Sequence, residues 1–354
     1  MLILVYLLIY FLMYLTNEYI DIDLPEIDNV SELDHEKRNR ISVEKYRNKM
    51  SNIILHKDKR TITKYFLEIF NENGFDGNNI LKNNQKWLNN IFTFKKDFNP
   101  VQNIIRGGNF YKDISLAREG FLKKDIEIKE IAQYAKKLLK NNAKDYSRGK
   151  EYSWDNICLA DKFILNKLNF EFKEKGLLRE AGAFLGRKVS VKKAFVILSK
   201  PDDKLHKFFL GDIAEFDSKY INFHIDPKGG LIKAIVYLNN VDANSGPFQI
   251  VRKSLNYKID PLKMLFARSI STSNYCDSPK NRLLINSLPK GLRSSLNIGR
   301  MLKENSRLTK LIDKNIVTIT SDQSNTILFV PDKTIHRGAV CSTSNRLALQ
   351  IQIY

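Results

Sequence analysis

The chain has 354 residues, of which 43% are hydrophobic and 27% are charged, so it is not a disordered protein and is long enough for one large domain or two smaller ones. Its formal net charge of +19 is uneven, because residues 1–36 hold eight acidic residues and no Lys or Arg, which leaves about +27 on the remainder. Three widely spaced cysteines give neither a disulfide framework nor zinc-ligand spacing, and they predict a reducing, cytoplasmic setting.

The chain opens with an unbroken apolar run over residues 1–15, and we treat 1–16 as a segment of its own. The run is shorter than the ~20 residues that cross a bilayer, and neither a basic region nor a small-residue cleavage site marks it as a secretory signal. A short membrane anchor, a buried helix or strand, and an extension from a misplaced start codon all stay open. If the run inserts, the basic residues over 37–60 keep the rest of the chain cytoplasmic.

Residues 17–188 are predicted to be a mostly helical region. An acidic arm over 17–36 comes first, and apolar residues then recur at three- and four-residue steps, which is the period of an amphipathic helix. The helical segments are expected within 35–73, over 126–139, near 155–168 and over 172–184. The last of these ends at Gly186. This half of the chain carries no motif that indicates a chemical activity.

Beyond residue 188 the pattern changes to short segments rich in Val, Ile, Phe and Tyr, separated by Gly, Pro, Asn or Asp. The predicted strands are 189–198, 220–226, 231–238, 247–251, 316–320, 326–330 and 347–353. Several short strands with turn signals between them predict a barrel or double-sheet jelly roll. We therefore expect an α+β chain whose mainly β core spans 189–354, with the helical region packed outside the barrel.

Residues 252–314 interrupt this core and are predicted to be an insertion between two strands. They hold fourteen Lys and Arg against four acidic residues, a net charge of +10. This favours an anionic partner, although a solvated basic surface explains the charge equally well. A lid that recruits a phosphate- or coenzyme-A-bearing small molecule is favoured over nucleic acid, because no basic stripe interleaved with stacking aromatics appears there.

His224 and Asp226 are two residues apart in a predicted strand, so their side chains share one face of it. His336 follows over a hundred residues later, and Arg346 stands ten residues beyond His336. Two imidazoles and one carboxylate are the ligand set of the facial triad that holds non-haem Fe(II) with open positions. A lone His-X-Asp arises often by chance, so the prediction depends on the third ligand, the spacing to Arg346 and the strand pattern around both.

Arg346 begins a strand whose side chains alternate between apolar residues and the set Arg346, Ala348, Gln350 and Gln352. An arginine that faces a barrel interior needs an anionic partner, since an unpaired buried guanidinium is costly. On the strand over 231–238, one parity points inward and offers candidates to line a cosubstrate or substrate pocket: Lys233, Ile235 and Tyr237. Packing of the barrel interior is an equally good explanation of these three residues.

These segments resemble the Fe(II)/2-oxoglutarate-dependent oxygenases, and most closely the phytanoyl-CoA dioxygenase-like family. The likeness covers 189–354, about half of the chain, and is carried by the segments 224–226, 231–242, 245–248, 325–329, 336–338 and 345–346. The resemblance implies a double-stranded β-helix, with iron held by His224, Asp226 and His336. It further implies that Arg346 holds the distal carboxylate of 2-oxoglutarate, with O₂ as cosubstrate and ascorbate as an added reductant.

The chain departs from that family at 251–254, Val-Arg-Lys-Ser, where a Pro-Gly-Ser-His stretch is usual. Related branches fit less well: prolyl-hydroxylase-like enzymes typically have lysine in place of Arg346, nucleic-acid demethylases have arginine in place of Gln352, and halogenating relatives lack the carboxylate of Asp226. Hydroxylation of a small, anionic substrate is therefore expected. The alternatives are a protein or nucleic-acid hydroxylase on the same scaffold, and a non-catalytic barrel that binds an anion or nucleic acid.

Overall fold

The computed structural model describes residues 50, 58–72, 74–94, 115–142, 157–201, 220, 223–227, 229–252, 254, 261–273, 284–285, 287–289, 292, 296 and 307–354. The apolar run over 1–15 and the acidic arm over 17–36 lie outside this part of the chain. The helices are α1 (Lys59–Glu72), α2 (Gly77–Asn83), α3 (Gln85–Phe94), α4 (Ser115–Glu119), α5 (Lys129–Asn142), α6 (Lys162–Glu174), α7 (Leu177–Leu185), α8 (Pro261–Ser273) and α9 (Arg307–Asn315). None of these helices is both long and apolar enough to span a bilayer.

The strands are β1 (Phe121–Lys123), β2 (Ile157–Leu159), β3 (Val191–Ser199), β4 (Ile232–Tyr237), β5 (Phe248–Val251), β6 (Ile316–Ile319), β7 (Thr326–Phe329), β8 (His336–Gly338) and β9 (Arg346–Ile353). They form a six-stranded sheet in the order β1-β7-β4-β9-β3-β2 and a three-stranded sheet in the order β6-β5-β8. Every paired strand runs antiparallel to its neighbour.

One face of the six-stranded sheet packs against helices. It carries the apolar parity of β4 and β9, which is buried in one cluster with residues of α5, α6 and α7: Ile232, Ala234, Val236, Leu347, Leu349, Ile351, Ile131, Ala135, Ile164, Leu168 and Ala181. Because side chains alternate along a strand, the opposite parity of the same strands must face away from these helices. The alternation predicted for the last strand is confirmed.

The second face of the large sheet meets the three-stranded sheet. A separate buried cluster joins residues of both sheets, including Tyr237, Ile327 and Phe329 from the large sheet and Phe248, Ile250 and Ile319 from the small one. Two antiparallel sheets therefore enclose an apolar interior, with helices outside the larger sheet. This arrangement is consistent with the expected jelly-roll class.

The region before residue 189 is not helical throughout, because β1 and β2 form the two edges of the large sheet. The helix predicted near 155–168 starts only at Lys162, where the carboxylate of Asp161 caps it by accepting the Ile164 N–H at 3.2 Å. The helix predicted over 172–184 is interrupted at residues 175–176. Gly176 has φ +73° and separates α6 from α7, since only glycine adopts this conformation without steric cost.

Part of the basic stretch over 252–314 is buried core. Leu262, Leu265, Phe266 and Ile270 of α8 belong to one cluster with residues of α1, α2 and α3. The ring of Phe266 lies 5.8 Å from that of Phe66 and 6.1 Å from that of Trp87. The predicted insertion is therefore anchored by α8 to the N-terminal helices, through apolar contacts that its net charge did not indicate.

Candidate metal centre

The segment around His224 is extended, but it is not the regular strand predicted over 220–226. His224 forms an isolated bridge with His336, in which each backbone N–H donates to the other residue's carbonyl at 3.0 Å. The next two N–H groups bond elsewhere, that of Ile225 to Leu296 O at 2.9 Å and that of Asp226 to Pro331 O at 2.8 Å. The backbone N–H groups of these three residues thus bond to three separate segments. These bonds hold the chain in place although it forms no continuous pairing with a neighbouring strand.

The predicted parity of this segment is confirmed by its packing. Phe223 and Ile225 are buried in an apolar cluster with residues of α8 and α9, while His224 and Asp226 face the other way. One ligand atom from each of His224, Asp226 and His336 lies within 4.8 Å of the other two. The fold therefore brings His336 to a histidine and an aspartate that precede it by more than a hundred residues in the sequence.

The carboxylate of Asp226 stands between the two imidazoles. Its Oδ1 is 3.4 Å from Nε2 of His224 and 3.8 Å from Nε2 of His336. The two rings are 4.4 Å apart between centroids, with 53° between their planes. Three donors at ~2.1 Å from a metal ion and at right angles to one another are ~3 Å apart, so the observed spacing is close to that of a ligand set.

A hydrogen bond to Nδ1 of His336 fixes the tautomer that a metal ligand needs. Its Nδ1 lies 2.9 Å from the carbonyl oxygen of Thr334, which can only accept, so the proton is on Nδ1 and the lone pair is on Nε2. Burial, followed by the nearby His224, lowers the pKa of His336 to about 3, which keeps the ring neutral at physiological pH. The rings of Phe248 and Phe329 pack against it at 5.9 and 4.7 Å.

Asp226 is ionised despite its burial. Burial alone would raise the pKa of this carboxyl, but the hydrogen bond with His224 and the positive charge of Lys233 outweigh it and hold the pKa well below its usual value. The Lys233 ammonium forms an ion pair with the second oxygen, Oδ2. The sequence placed Lys233 in a cosubstrate or substrate pocket; the structure places its ammonium on the carboxylate of the triad.

Arg346 lies at the start of β9 and is held by neutral oxygens. Its Nη1 donates to Gly246 O, and its Nη2 donates to Ser199 Oγ at 3.2 Å. Burial lowers the pKa of Arg346, so the charged guanidinium is held where water stabilises it poorly. Among the residues that the structure describes, no carboxylate forms an ion pair with it.

Ile235 and Tyr237 pack inside the two-sheet core. Tyr237 is fully buried, and its hydroxyl donates to Ile319 O at 2.7 Å while accepting the Phe248 N–H at 2.7 Å. Both hydrogen bonds of this hydroxyl link the two sheets, which accounts for its burial. The pocket roles predicted for Ile235 and Tyr237 stay predictions.

Access to the site is unequal around the triad. The side chain of His224 is 37% exposed, whereas those of Asp226 and His336 are 11% and 5% exposed. Solvent therefore reaches the three donors from the side of His224. A ligand would enter there, beside the one imidazole that the interior does not cover.

Two residues support the site in ways that their sequence motifs did not predict. Ser254, in the stretch where the chain departs from the oxygenase pattern, is buried and accepts the Ile335 N–H at 3.0 Å, next to His336. Because Gly338 has no side chain, the Arg346 guanidinium packs directly against it. A glycine two residues after a ligand histidine on a strand is the signal that could have found it, since both positions share a face.

Comparisons with known proteins give weak structural likenesses. No protein-family model and no curated protein matches the sequence. The structure of EctD from S. alaskensis in its apo form has a TM-score of 0.40 and 10% identity, covering 70% of this chain and 77% of that chain. The non-heme alpha ketoglutarate dependent carbocyclase SnoK from nogalamycin biosynthesis has a TM-score of 0.37 and 11% identity, covering 70% and 85%.

A third likeness is to the epimerase SnoN in complex with Fe³⁺, alpha ketoglutarate and nogalamycin RO. It has a TM-score of 0.37 and 15% identity, covering 72% of this chain and 84% of that chain. All three TM-scores are below 0.5, so these likenesses do not decide what this chain does. Its chemistry has to follow from its own residues.

Proposed function

We propose that this protein is a non-haem Fe(II)- and 2-oxoglutarate-dependent oxygenase. The observation that carries the proposal is the convergence of His224, Asp226 and His336, with one ligand atom from each within 4.8 Å of the others. This is the donor set of the facial triad, which holds Fe(II) and leaves neighbouring positions for other ligands. The motif resemblance over 189–354 supports the same assignment and extends it to the closed jelly-roll barrel.

The protonation states of Asp226 and His336 are those that binding of a divalent metal ion requires. Asp226 is ionised, and the Nδ1–H of His336 is engaged by Thr334 O, which leaves the Nε2 lone pair for the metal. Two imidazoles and one carboxylate that leave coordination positions open are the ligand type of non-haem Fe(II) oxygenases. His224 would complete the set from the solvent-exposed side.

Arg346 is the proposed partner of the distal carboxylate of 2-oxoglutarate. A partly buried guanidinium that contacts only neutral acceptors among the described residues is poorly compensated, and a carboxylate is the partner that suits its planar donors. Gly338 faces the same side of β8 as His336 and contacts this guanidinium. The anion would therefore be held about two strand residues, or ~7 Å, along β8 from the third ligand.

The residues of the chain would bind and orient the metal, the cosubstrate and the substrate, while the bound groups would perform the oxidation. Iron, 2-oxoglutarate and O₂ together supply oxidising power, with 2-oxoglutarate converted to succinate and CO₂ as a substrate C–H bond is hydroxylated. Phe248 and Phe329 cover the imidazole of His336 and exclude water from that side. The exposed edge at His224 is where we expect a substrate to approach.

The subfamily and the class of substrate are also part of the proposal. We infer a phytanoyl-CoA dioxygenase-like hydroxylase with a small, anionic substrate, supported by the motif likeness, by the intact Asp226 and by the net charge of +10 over 252–314. The division of the chain into 1–16, 17–188 and 189–354 is likewise a proposal. A protein or nucleic-acid hydroxylase on the same scaffold is the alternative within this class.

The test is Fe(II)-dependent conversion of 2-oxoglutarate to succinate by the purified full-length protein. Conversion should be lost in His336→Ala, and in Arg346→Ala the KM for 2-oxoglutarate should rise. Arg187→Ala is a matched control, because Arg187 also donates to a glycine carbonyl, Gly230 O at 2.7 Å, but is exposed. Its turnover should equal that of the wild type.

Two results would redirect the proposal. Uncoupled turnover that persists in His336→Ala would remove that residue from its assigned role. If the protein binds neither iron nor 2-oxoglutarate, the enzyme assignment fails. A steep salt dependence of DNA or RNA binding by such a protein would instead identify a binding barrel.

A further inference from the structure

Lys233 is a charged residue on the inner face of the large sheet. In β4 it pairs across the sheet with Phe329 of β7 on one side and with Gln352 of β9 on the other. Its side chain is only 15% exposed, and its ammonium forms an ion pair with Oδ2 of Asp226. A lysine is rarely buried without a partner, so this contact is the reason that Lys233 is accommodated there.

The two oxygens of Asp226 have different partners. Oδ2 is engaged by the ammonium of Lys233, whereas Oδ1 faces Nε2 of both His224 and His336 at 3.4 and 3.8 Å. The ion pair thus fixes the rotation of the carboxylate. Oδ1 therefore points towards the proposed metal position between the two imidazoles. Oδ2 points away from that position because it is paired with Lys233.

We propose that Lys233 is a positioning residue that keeps Asp226 a one-oxygen metal ligand. The inference rests on the proposed function, and it adds a determinant of how many positions on the metal stay open. Three single-atom ligands leave three positions of a six-coordinate ion, which a chelating 2-oxoglutarate and O₂ fill. A carboxylate bound through both oxygens would occupy one of these three positions and leave too few.

The same contact has a cost for metal binding. An ammonium on the carboxylate competes with the metal for the negative charge of Asp226 and repels a divalent cation a few ångströms away. Removal of Lys233 should therefore tighten metal binding while it reduces the number of open positions. A lysine that only supported the fold would have the opposite effect, because loss of its contacts would loosen the ligand set and weaken metal binding.

The test uses the full chain with Mn(II) as the metal. Wild type, Lys233→Met and Lys233→Arg are titrated with Mn(II), and the water-proton relaxation of the bound ion reports its exchangeable waters. We expect Lys233→Met to bind Mn(II) about tenfold or more tightly, the effect of removing one nearby positive charge, and to hold two exchangeable waters instead of three. Lys233→Arg keeps a cation on Oδ2 and should restore the three waters of the wild type.

Lys193→Met is the matched control. Lys193 is a partly buried lysine that pairs with Gln352 in the same row of the sheet, two strands from Lys233 and ~10 Å away, and its ammonium stacks on Phe195 instead of Asp226. Its Mn(II) affinity and water count should match those of the wild type. Unchanged or weaker Mn(II) binding by Lys233→Met, or an unchanged water count, would overturn the inference and leave the proposed function standing. A wild-type protein that binds no Mn(II) would refute both.

Discussion

The guanidinium of Arg346 lies directly against Gly338. A Cβ built on that glycine would stand 2.9 Å from Nη2 and 3.0 Å from Nη1 of the arginine. Gly338 follows His336 by two residues on β8, so the space left by its missing side chain is on the face of the strand that carries the histidine. The proposed anion site and the proposed metal site are thus joined through one short strand.

Gly338→Ala should separate the two sites functionally. The backbone of Gly338 is not in the left-handed region, so alanine fits the chain, but its methyl group must displace the guanidinium. We expect the Kd of Mn(II)-loaded protein for 2-oxoglutarate to rise about tenfold, equivalent to ~1.4 kcal/mol, with the Kd for Mn(II) unchanged. Calorimetric titration of both ligands measures this. An unchanged Kd for 2-oxoglutarate would argue that Arg346 does not hold its carboxylate.

Tyr237→Phe should destabilise the fold more than loss of a hydroxyl usually does. The change removes two hydrogen bonds at a buried position, one to the carbonyl of Ile319 and one from the N–H of Phe248, and a buried polar group that loses its partner costs about 1–3 kcal/mol. We expect a loss of about 2–4 kcal/mol in the free energy of unfolding by urea. Tyr134→Phe is the comparison. Its hydroxyl bonds Asp161 at 2.6 Å at a partly buried position that water can reach, so the loss there should be smaller.

The stability of the metal-free protein should fall as the pH drops from about 6.5 towards 3. Burial and the neighbouring His224 lower the pKa of His336 to about 3, whereas a histidine of the unfolded chain has a pKa of ~6.5. Between these values the unfolded state binds the proton and the folded state does not, so protonation favours unfolding, while above ~6.5 this contribution is constant. The slope is at most about 1.4 kcal/mol per pH unit.

Urea unfolding in the presence of a chelator at several pH values measures this slope. His336→Gln removes the titrating group and should flatten the profile between pH ~6.5 and ~4. The lowered pKa of Asp226 adds a further loss of stability only below its unfolded value of ~3.9. Equal slopes in wild type and variant would exclude His336 as the source.

Phe266→Ala should show that the basic stretch is anchored in the fold. Phe266 is fully buried on α8 between Phe66 and Trp87, and truncation of such a residue costs about 3–5 kcal/mol. Lys310→Ala, an exposed position on α9 in the same stretch, should change the free energy of unfolding by no more than ~0.5 kcal/mol. If the two variants are equally stable, α8 does not pack as described.

The alternation of apolar and polar residues predicted the faces of β4 and β9 correctly. A period of two follows from the geometry of the single strand, so no knowledge of the partner strand is needed. The same reasoning put His224 and Asp226 on one side. It failed in the helical half, where β1 and β2 have three residues each. Such short strands carry no readable period, and their conformation depends on the sheet edge that pairs with them.

The sequence by itself predicted the candidate ligand set of two histidines and an aspartate, with an arginine ten residues after the second histidine, because these residue types restrict the chemistry that a site can support. Only the tertiary structure decided which contacts hold those side chains in place. The ion pair of Lys233 with one oxygen of Asp226 and the packing of Arg346 against Gly338 are contacts between separate segments. Spacing along the chain does not specify such contacts. They arise when strands pair in a particular register and bury charged groups together, which forces each charge to find a partner.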